Sequence, residues 1–161
     1  MESGEVERLV RALSPAVTRL AYARTGSLAD AEDAAQETFL RLLRRDGGFE
    51  SDEHCKAWLL RVTLNVCADL FRSPWRRRTA PLEEAADLPA EPAPEEGGML
   101  ERVLSLPAKY RTVIHLYYYE ELSTAEIAGI VGKSEDAVRA RMSRARSMLR
   151  DKLEKEGEGR V

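Results

Sequence analysis

Residues 122–150 read LSTAEIAGIVGKSEDAVRARMSRARSMLR, and this stretch decides how the rest of the chain is understood. Ser123 and Glu126 have the S-x-x-E spacing of a capping box, in which each side chain satisfies an amide left open at a helix start. Leu122 before the cap and Ile127 four residues beyond it are placed as a hydrophobic staple. Ile127, Ala128 and Val131 give the following helix one apolar face. Gly132 stands where a helix ends in a residue of positive φ, and Ser134 can cap a second helix. The spacing predicts two helices joined by a tight turn.

In the second helix Val138, Met142, Ala145 and Leu149 recur at helical spacing and face a core. Arg139, Ala140, Ser143, Arg144, Ser147 and Arg150 fall on the opposite side, with Arg141 and Arg146 on the flanks. A stripe of arginines and small residues can approach a base-pair edge while neutralising phosphates. A helix-turn-helix is the economical interpretation. The competing one is a solvated cationic face on an ordinary helical hairpin. The capped first helix, the Gly132 turn and the cluster Arg139, Arg141, Arg144, Arg146 and Arg150 favour the former.

Composition points the same way. A third of the 161 residues are charged, Ala, Leu, Glu and Arg are abundant, and strand-like alternation is scarce, which predicts an all-α protein. The net charge of −3 would argue against nucleic acid if it were spread evenly. It is not. Residues 81–101 hold seven carboxylates and no Lys or Arg, whereas residues 133–152 hold seven bases against three acids. Local distribution decides phosphate binding. No stretch is long and apolar enough to span a membrane, and the opening MESGEVERLV is acidic, unlike a signal peptide, so a cytoplasmic location is expected. Cys55 and Cys67 lie about 18 Å apart along one predicted helix, too far to pair with each other. With His54 they lack the spacing of a closed zinc site, and two buried thiols with no metal are expected.

Taken in order, a first helix is predicted over about Val6–Arg24, with Pro15 expected to bend it or end its first segment. Gly26 breaks the run and Ser27 caps a second helix, about Leu28–Arg45, whose buried stripe is Leu28, Ala31, Ala35, Phe39 and Leu42. Asp46, Gly47 and Gly48 form a loop that carries Phe49. A third helix runs from about Glu53 to Phe71, with Trp58, Leu59, Val62, Val66 and Leu70 inside. It leads into RSPWRRR, where Trp75 beside Arg76, Arg77 and Arg78 could stack a base while screening phosphates, or could be a surface Trp on a charged helix end. Residues 79–98 contain four of the seven prolines and end in Gly97-Gly98, the composition of a linker. A helix over about Met99–Leu106 and another from Pro107 complete the chain before the helix-turn-helix. The expected architecture is two small helical domains, 1–78 and 99–155, joined by an acidic Pro-rich linker, 79–98.

These motifs, in this order, resemble from end to end the small bacterial sigma factors of the extracytoplasmic-function (ECF) group. DAEDAAQETFLRLLRR (30–45) resembles the helix that docks on the clamp coiled coil of core RNA polymerase. WLLRVTLNVCADLFR (58–72) resembles the helix that recognises the −10 promoter element. LPAKYRTVIHLYYYEELSTAEIAGIVGKSEDAVRARMSRARSMLR (106–150) resembles the domain that reads the −35 element. The resemblance implies that Asp33, Gln36 and Glu37 face polymerase. It implies that Arg61, Asn65, Asp69 and Arg72, with Trp75 and Arg76, meet unwound −10 DNA. Asn65 could instead bond a backbone carbonyl. Phe49 matches a loop residue that some members place near a flipped-out base, although a loop Phe can also simply plug a core gap. Lys133, Ser134, Arg139, Ala140, Arg141, Ser143 and Arg144 match the −35 contacts. Ala140 departs from the family pattern, in which this position is often polar, and could offer only a methyl contact to thymine. Glu135 and Asp136 suit the helix dipole but repel a nearby phosphate, so the promoter sequence stays open.

The function implied is that of a transcription initiation factor working with core RNA polymerase and promoter DNA, monomeric when free, with an anti-sigma partner that is often membrane-associated. No Ser-His-Asp set, metal cluster or phosphate loop appears, so no enzyme activity, cofactor or small-molecule substrate is expected. Two other readings stay open. One is a conventional helix-turn-helix regulator that binds a palindromic operator without polymerase. The other is a pure interaction protein that binds a partner and no DNA.

Overall fold

A computed structural model describes residues 2–72 and 99–158, all of whose regular elements are α-helices. The predicted linker 79–98, and with it Trp75 and Arg76, lies outside the described residues. The helices are α1 (Ser3–Thr25), α2 (Leu28–Arg44), α3 (Asp52–Arg72), α4 (Met99–Leu104), α5 (Ala108–Tyr118), α6 (Thr124–Val131) and α7 (Glu135–Glu158).

The first three helices form one packed group. Ser27 caps α2 by accepting from the Asp30 amide, and Gly26 closes α1 in the left-handed region, φ 72°, donating to Tyr22 O. The face that α2 turns inward is small: Ala31, Ala34, Ala35 and Thr38 are buried with Leu42. Small residues let α2 approach α1 and α3 closely. The hydroxyls this buries are satisfied locally, Thr38 donating to Ala34 O and Thr63 to Leu59 O. Two expectations need correction here. Leu28 is not part of the buried stripe; it is 65% exposed, because the first residue of α2 overhangs the end of the packed region. Of the two outcomes expected of Pro15, a bend or an end to the first segment, the second does not occur: α1 continues through it. Pro15 is exposed, while Leu9, Val17 and Leu20 bury α1 on both sides of it, so packing outweighs the missing amide.

In the second group, α6 and α7 have the geometry their sequence predicts. Both halves of the Ser123–Glu126 capping box are formed. Gly132 sits at φ 70° with its amide on Ala128 O, and Ser134 Oγ accepts from the Ala137 amide. Thr124 Oγ1 donates to Glu135 Oε1 at 2.8 Å, tying the start of α6 to the start of α7. Ile127, Ile130, Val138, Met142 and Ala145 pack with Val113, Ile114 and Leu116 of α5.

The two groups do not stand apart. Ala16 and Leu20 of α1 and Leu60 of α3 belong to the same buried cluster as Leu106, Val113 and Ile127, with Leu64 packed against it. α1 packs along α5, and α3 packs on α6. The two small helical domains expected from the sequence are present, and among the described residues they touch along this seam.

Candidate nucleic-acid interface

Along α7, Arg139, Ala140, Ser143, Arg144, Ser147 and Arg150 are all exposed, while Val138, Met142 and Ala145 are buried beneath them. The arginine stripe therefore faces solvent on a helix whose other side is fixed by packing, and its N-terminal turn is anchored through Glu135 to α6. Lys133 and Ser134 are exposed at the turn, although Ser134 Oγ is already engaged as the cap. Arg139 is not idle: it donates to Glu135 Oε1 at 2.7 Å and to Asp136 Oδ1 at 3.2 Å. Arg141 is half-buried. Arg146 turns away from the stripe, its Nε donating to Tyr118 Oη at 3.0 Å and its guanidinium lying near the rings of Tyr117 and Tyr118. The five-arginine cluster of the sequence is thus divided, with Arg139, Arg144 and Arg150 forming the open face.

On α3 the exposed residues Arg61, Asn65, Asp69 and Arg72 follow one another at intervals of about one turn and form a single stripe. Asp69 pairs with Arg41 of α2 at 3.3 Å and lies 3.8 Å from Arg72. Asn65 points to solvent, not into the packed face. Phe49 is half-buried against Trp58 and His54, with the Arg45 guanidinium 4.3 Å from its ring centre. It fills a gap at the edge of the Leu9–Leu42–Leu59 cluster. Cys55 and Cys67 are buried thiols, and burial pushes Cys55 up to about 11. His54 Nδ1 accepts from the Glu50 amide.

On the outer side of α2, Asp33 and Gln36 are exposed, and Glu37 is half-buried with Arg41 and Arg44 around it. Leu40 and Leu43 are exposed nearby. The structure brings acidic, amide and apolar groups together there, and Arg41, bonded to both Glu37 and Asp69, links this face to the α3 stripe.

The comparisons with known proteins follow this layout. The Sigma-70 region 2 family model matches residues 9–77, and that of Sigma-70, region 4 matches residues 98–149. The ECF RNA polymerase sigma factor SigL of Mycobacterium tuberculosis is 33% identical over 147 residues, 86% of this chain and 83% of that protein. The chain belongs to the ECF sigma factors. SigE of Mycolicibacterium smegmatis is 38% identical over 92% of the chain, and the probable sigma factor RfaY of Xanthomonas campestris is 37% identical over 91%. The chain spans only 62% and 40% of the lengths of these two relatives. Among solved structures, CnrH in complex with the cytosolic domain of CnrY matches with a TM-score of 0.68 and 27% identity, over 95% of this chain and 90% of that one. The sigma factor RpoE of Bartonella quintana, in complex with the anti-sigma factor NepR, has the same fold, with a TM-score of 0.74 and 24% identity over 93% of this chain and 97% of that one.

The seam of this ECF sigma factor holds charged groups that no motif announced. Arg111 of α5 is 1% exposed. Its guanidinium donates to Ala23 O and, at 2.9 Å, to Arg24 O at the end of α1, and to Leu104 O and Leu106 O at the end of α4. Carbonyls at helix ends lack intrahelical donors and carry the negative end of the dipole, so one buried cation satisfies two helix termini at once. Glu120, beyond the end of α5, has a side chain only 1% exposed. Arg19 of α1 grips it with two bonds of 3.0 and 3.1 Å, Lys56 of α3 stands 3.5 Å away, and His115 Nε2 faces it at 3.2 Å. Burial alone would raise this carboxyl; bonds from His115 and Arg19 and their charge outweigh it and hold it at about 2. Periodicity could not find these residues. The one available signal was a carboxylate directly after an aromatic run, which is ambiguous by itself.

Proposed function

We propose that the chain binds core RNA polymerase and directs it to promoters, reading −35 duplex DNA with α7 and capturing the unwound −10 strand along α3. The observation that carries this is the exposed Arg139–Arg144–Arg150 face on the second helix of a fully capped helix-turn-helix. Such a face can present arginine forks to guanine edges while its outer members meet phosphate. The working units are then 1–78 for polymerase docking and −10 recognition, 79–98 as connector and 99–155 for −35 recognition, in keeping with the two family matches. Arg61, Asn65, Asp69 and Arg72, continued by Trp75 and Arg76, would meet the −10 strand. Lys133, Ser134, Arg139, Ala140, Arg141, Ser143 and Arg144 would meet the −35 duplex. Phe49 supports the fold of its loop, and its packing against Trp58 gives no support to base capture in this conformation.

Polymerase docking is assigned to Asp33, Gln36 and Glu37. The chain acts by recognition in the cytoplasm and itself makes or breaks no bond. A protein inhibitor is part of this proposal, because the solved relative CnrH was captured with the cytosolic domain of CnrY. Run-off transcription with core polymerase tests the whole scheme. The chain should confer initiation at a subset of promoters. Asp33→Arg with Glu37→Arg should abolish copurification with core polymerase while leaving the circular dichroism spectrum unchanged. Unaltered copurification of that folded variant would move the docking face elsewhere.

A further inference from the structure

We propose that Thr124 is a specificity-determining residue of the −35 reading head: through Glu135 it fixes how the Arg139 fork is presented, and so which base pair the chain prefers, without touching DNA itself. The inference rests on the promoter-reading function proposed above and adds to it a positioning residue. Two donors converge on one carboxylate oxygen. The Thr124 hydroxyl donates to Glu135 Oε1 at 2.8 Å, and Arg139 Nη2 donates to the same oxygen at 2.7 Å. Each part of this relay is held by packing or capping outside it. Thr124 opens α6 directly behind the Ser123 cap, in a turn fixed by both bonds of the capping box, and its β-branched side chain is stiff. Glu135 is half-buried and opens α7, where amides at the helix start favour a carboxylate. Arg139 leaves α7 beside Val138, which is buried.

Asp136 shows what the same arginine meets without such support. It takes the other end of the fork, Nη1, at 3.2 Å. Its side chain is 95% exposed and, among the described residues, bonds to Arg139 alone. Exposed pairs of that kind contribute little. A base can therefore take Nη1 from Asp136 while Nη2, which carries two hydrogens, keeps Glu135. A guanine accepts a fork only when its O6 and N7 lie in the guanidinium plane. Whatever fixes the orientation of the guanidinium thus selects the base edge that fits. A Glu135 carboxylate free to change rotamer would present the fork in several orientations and blur the selection. The Thr124 hydroxyl removes that freedom from the neighbouring helix, so the α6–α7 geometry is passed on to the reading side chain. A mere tie between the helices would act otherwise: its loss would weaken every promoter alike.

The test compares full-chain variants assembled with core polymerase, by competitive run-off transcription on promoters varied at each −35 position. Arg139→Ala should lower preference at one base pair by about 5- to 150-fold. Thr124→Val, which keeps the shape and loses the hydroxyl, should lower preference at that same base pair several-fold and leave the others alone. Thr124→Ser, which restores the donor, should recover most of the loss. In a Glu135→Ala background, Thr124→Val should have no further effect. In the free chain, NMR relaxation of the Arg139 Nε–H should show more motion in Thr124→Val than in wild type. Equal motion would overturn the positioning role without reference to DNA. An equal loss on all promoters would overturn it too, making Thr124 a structural tie or a phosphate contact. Unchanged preference in Arg139→Ala would remove the specificity role at its source. Should Thr124→Val melt too low to assay, Glu135→Ala carries the same expectation at the same base pair. Absence of any −35 preference in wild type would instead strike the promoter-reading function, while the NMR comparison still decides whether Thr124 positions the fork.

Discussion

Arginine is used in opposite ways at the seam and on the outer face of α7. At the seam, Arg111 is sealed from water, and carbonyl oxygens from the ends of two helices surround it. On α7, Arg144 and Arg150 stand in solvent over a buried apolar stripe. The first arrangement directs its donors to the protein's own carbonyls and therefore fixes geometry. The second withholds its donors and therefore remains available to DNA. A guanidinium becomes a structural pin or a reader according to whether the backbone has unmet acceptors nearby.

The strongest way to break that contrast is at Arg111. Arg111→Met keeps an apolar stem but strands carbonyls at two helix ends, and should cost about 3–5 kcal/mol of stability in urea unfolding. A loss below about 1 kcal/mol would mean that water replaces the guanidinium easily and that the site is no pin.

Glu120 sharpens the comparison through pH. Its carboxyl is held at about 2, below the ordinary 4.5, so the folded chain binds fewer protons there than the unfolded one. Its stabilisation is complete above about 4.5 and is lost as pH falls from there towards 2, amounting to at most about 3 kcal/mol. Urea unfolding of wild type at a series of acid pH values should therefore show stability falling across that window. Glu120→Gln should be less stable already at neutral pH and lack that acid step. An identical acid transition in both proteins would assign it to other carboxylates.

The smallest effects belong to the open face. Arg144→Ala should lower discrimination among −35 sequences by about 1–3 kcal/mol if the side chain forks onto a base. Arg150→Ala should weaken all sequences alike through lost phosphate contact. Equal, sequence-independent losses in promoter titrations would remove Arg144 from base readout and erase the distinction within the stripe.

The helix-turn-helix was legible because its determinants are local. Ser123 and Glu126 are three residues apart, and Gly132 and Ser134 follow within one turn of the helix end. The α3 stripe was legible for the same reason, since Arg61, Asn65 and Asp69 repeat at a helical period. The seam was not, because Arg111 meets Ala23 across 88 positions and Glu120 meets Arg19 across 101, and no periodic pattern encodes which helix docks on which. Leu28 was misplaced by periodicity alone, which assigns a face to a residue without knowing where the neighbouring helix ends. That Pro15 would not end its helix was not legible, because the packing on either side of it is non-local. Trp75 and Arg76 lie outside the described residues, and their roles still rest on the family resemblance.

Arg139 has a further consequence for how the α7 face would search DNA. It would meet a duplex already accompanied by two anions of its own helix, Glu135 and Asp136. Those carboxylates repel phosphate, so random backbone captures this arginine poorly, whereas a guanine edge placing two acceptors in its plane can compete for the fork. The exchange is inexpensive, because exposed ion pairs contribute little. Fewer mobile salt ions are then freed at this position than at an unaccompanied arginine, so its share of the affinity should depend less on ionic strength. On the proposed function, the first turn of α7 would work as a filter, reserving one of its arginines for chemistry that the sugar-phosphate chain does not offer.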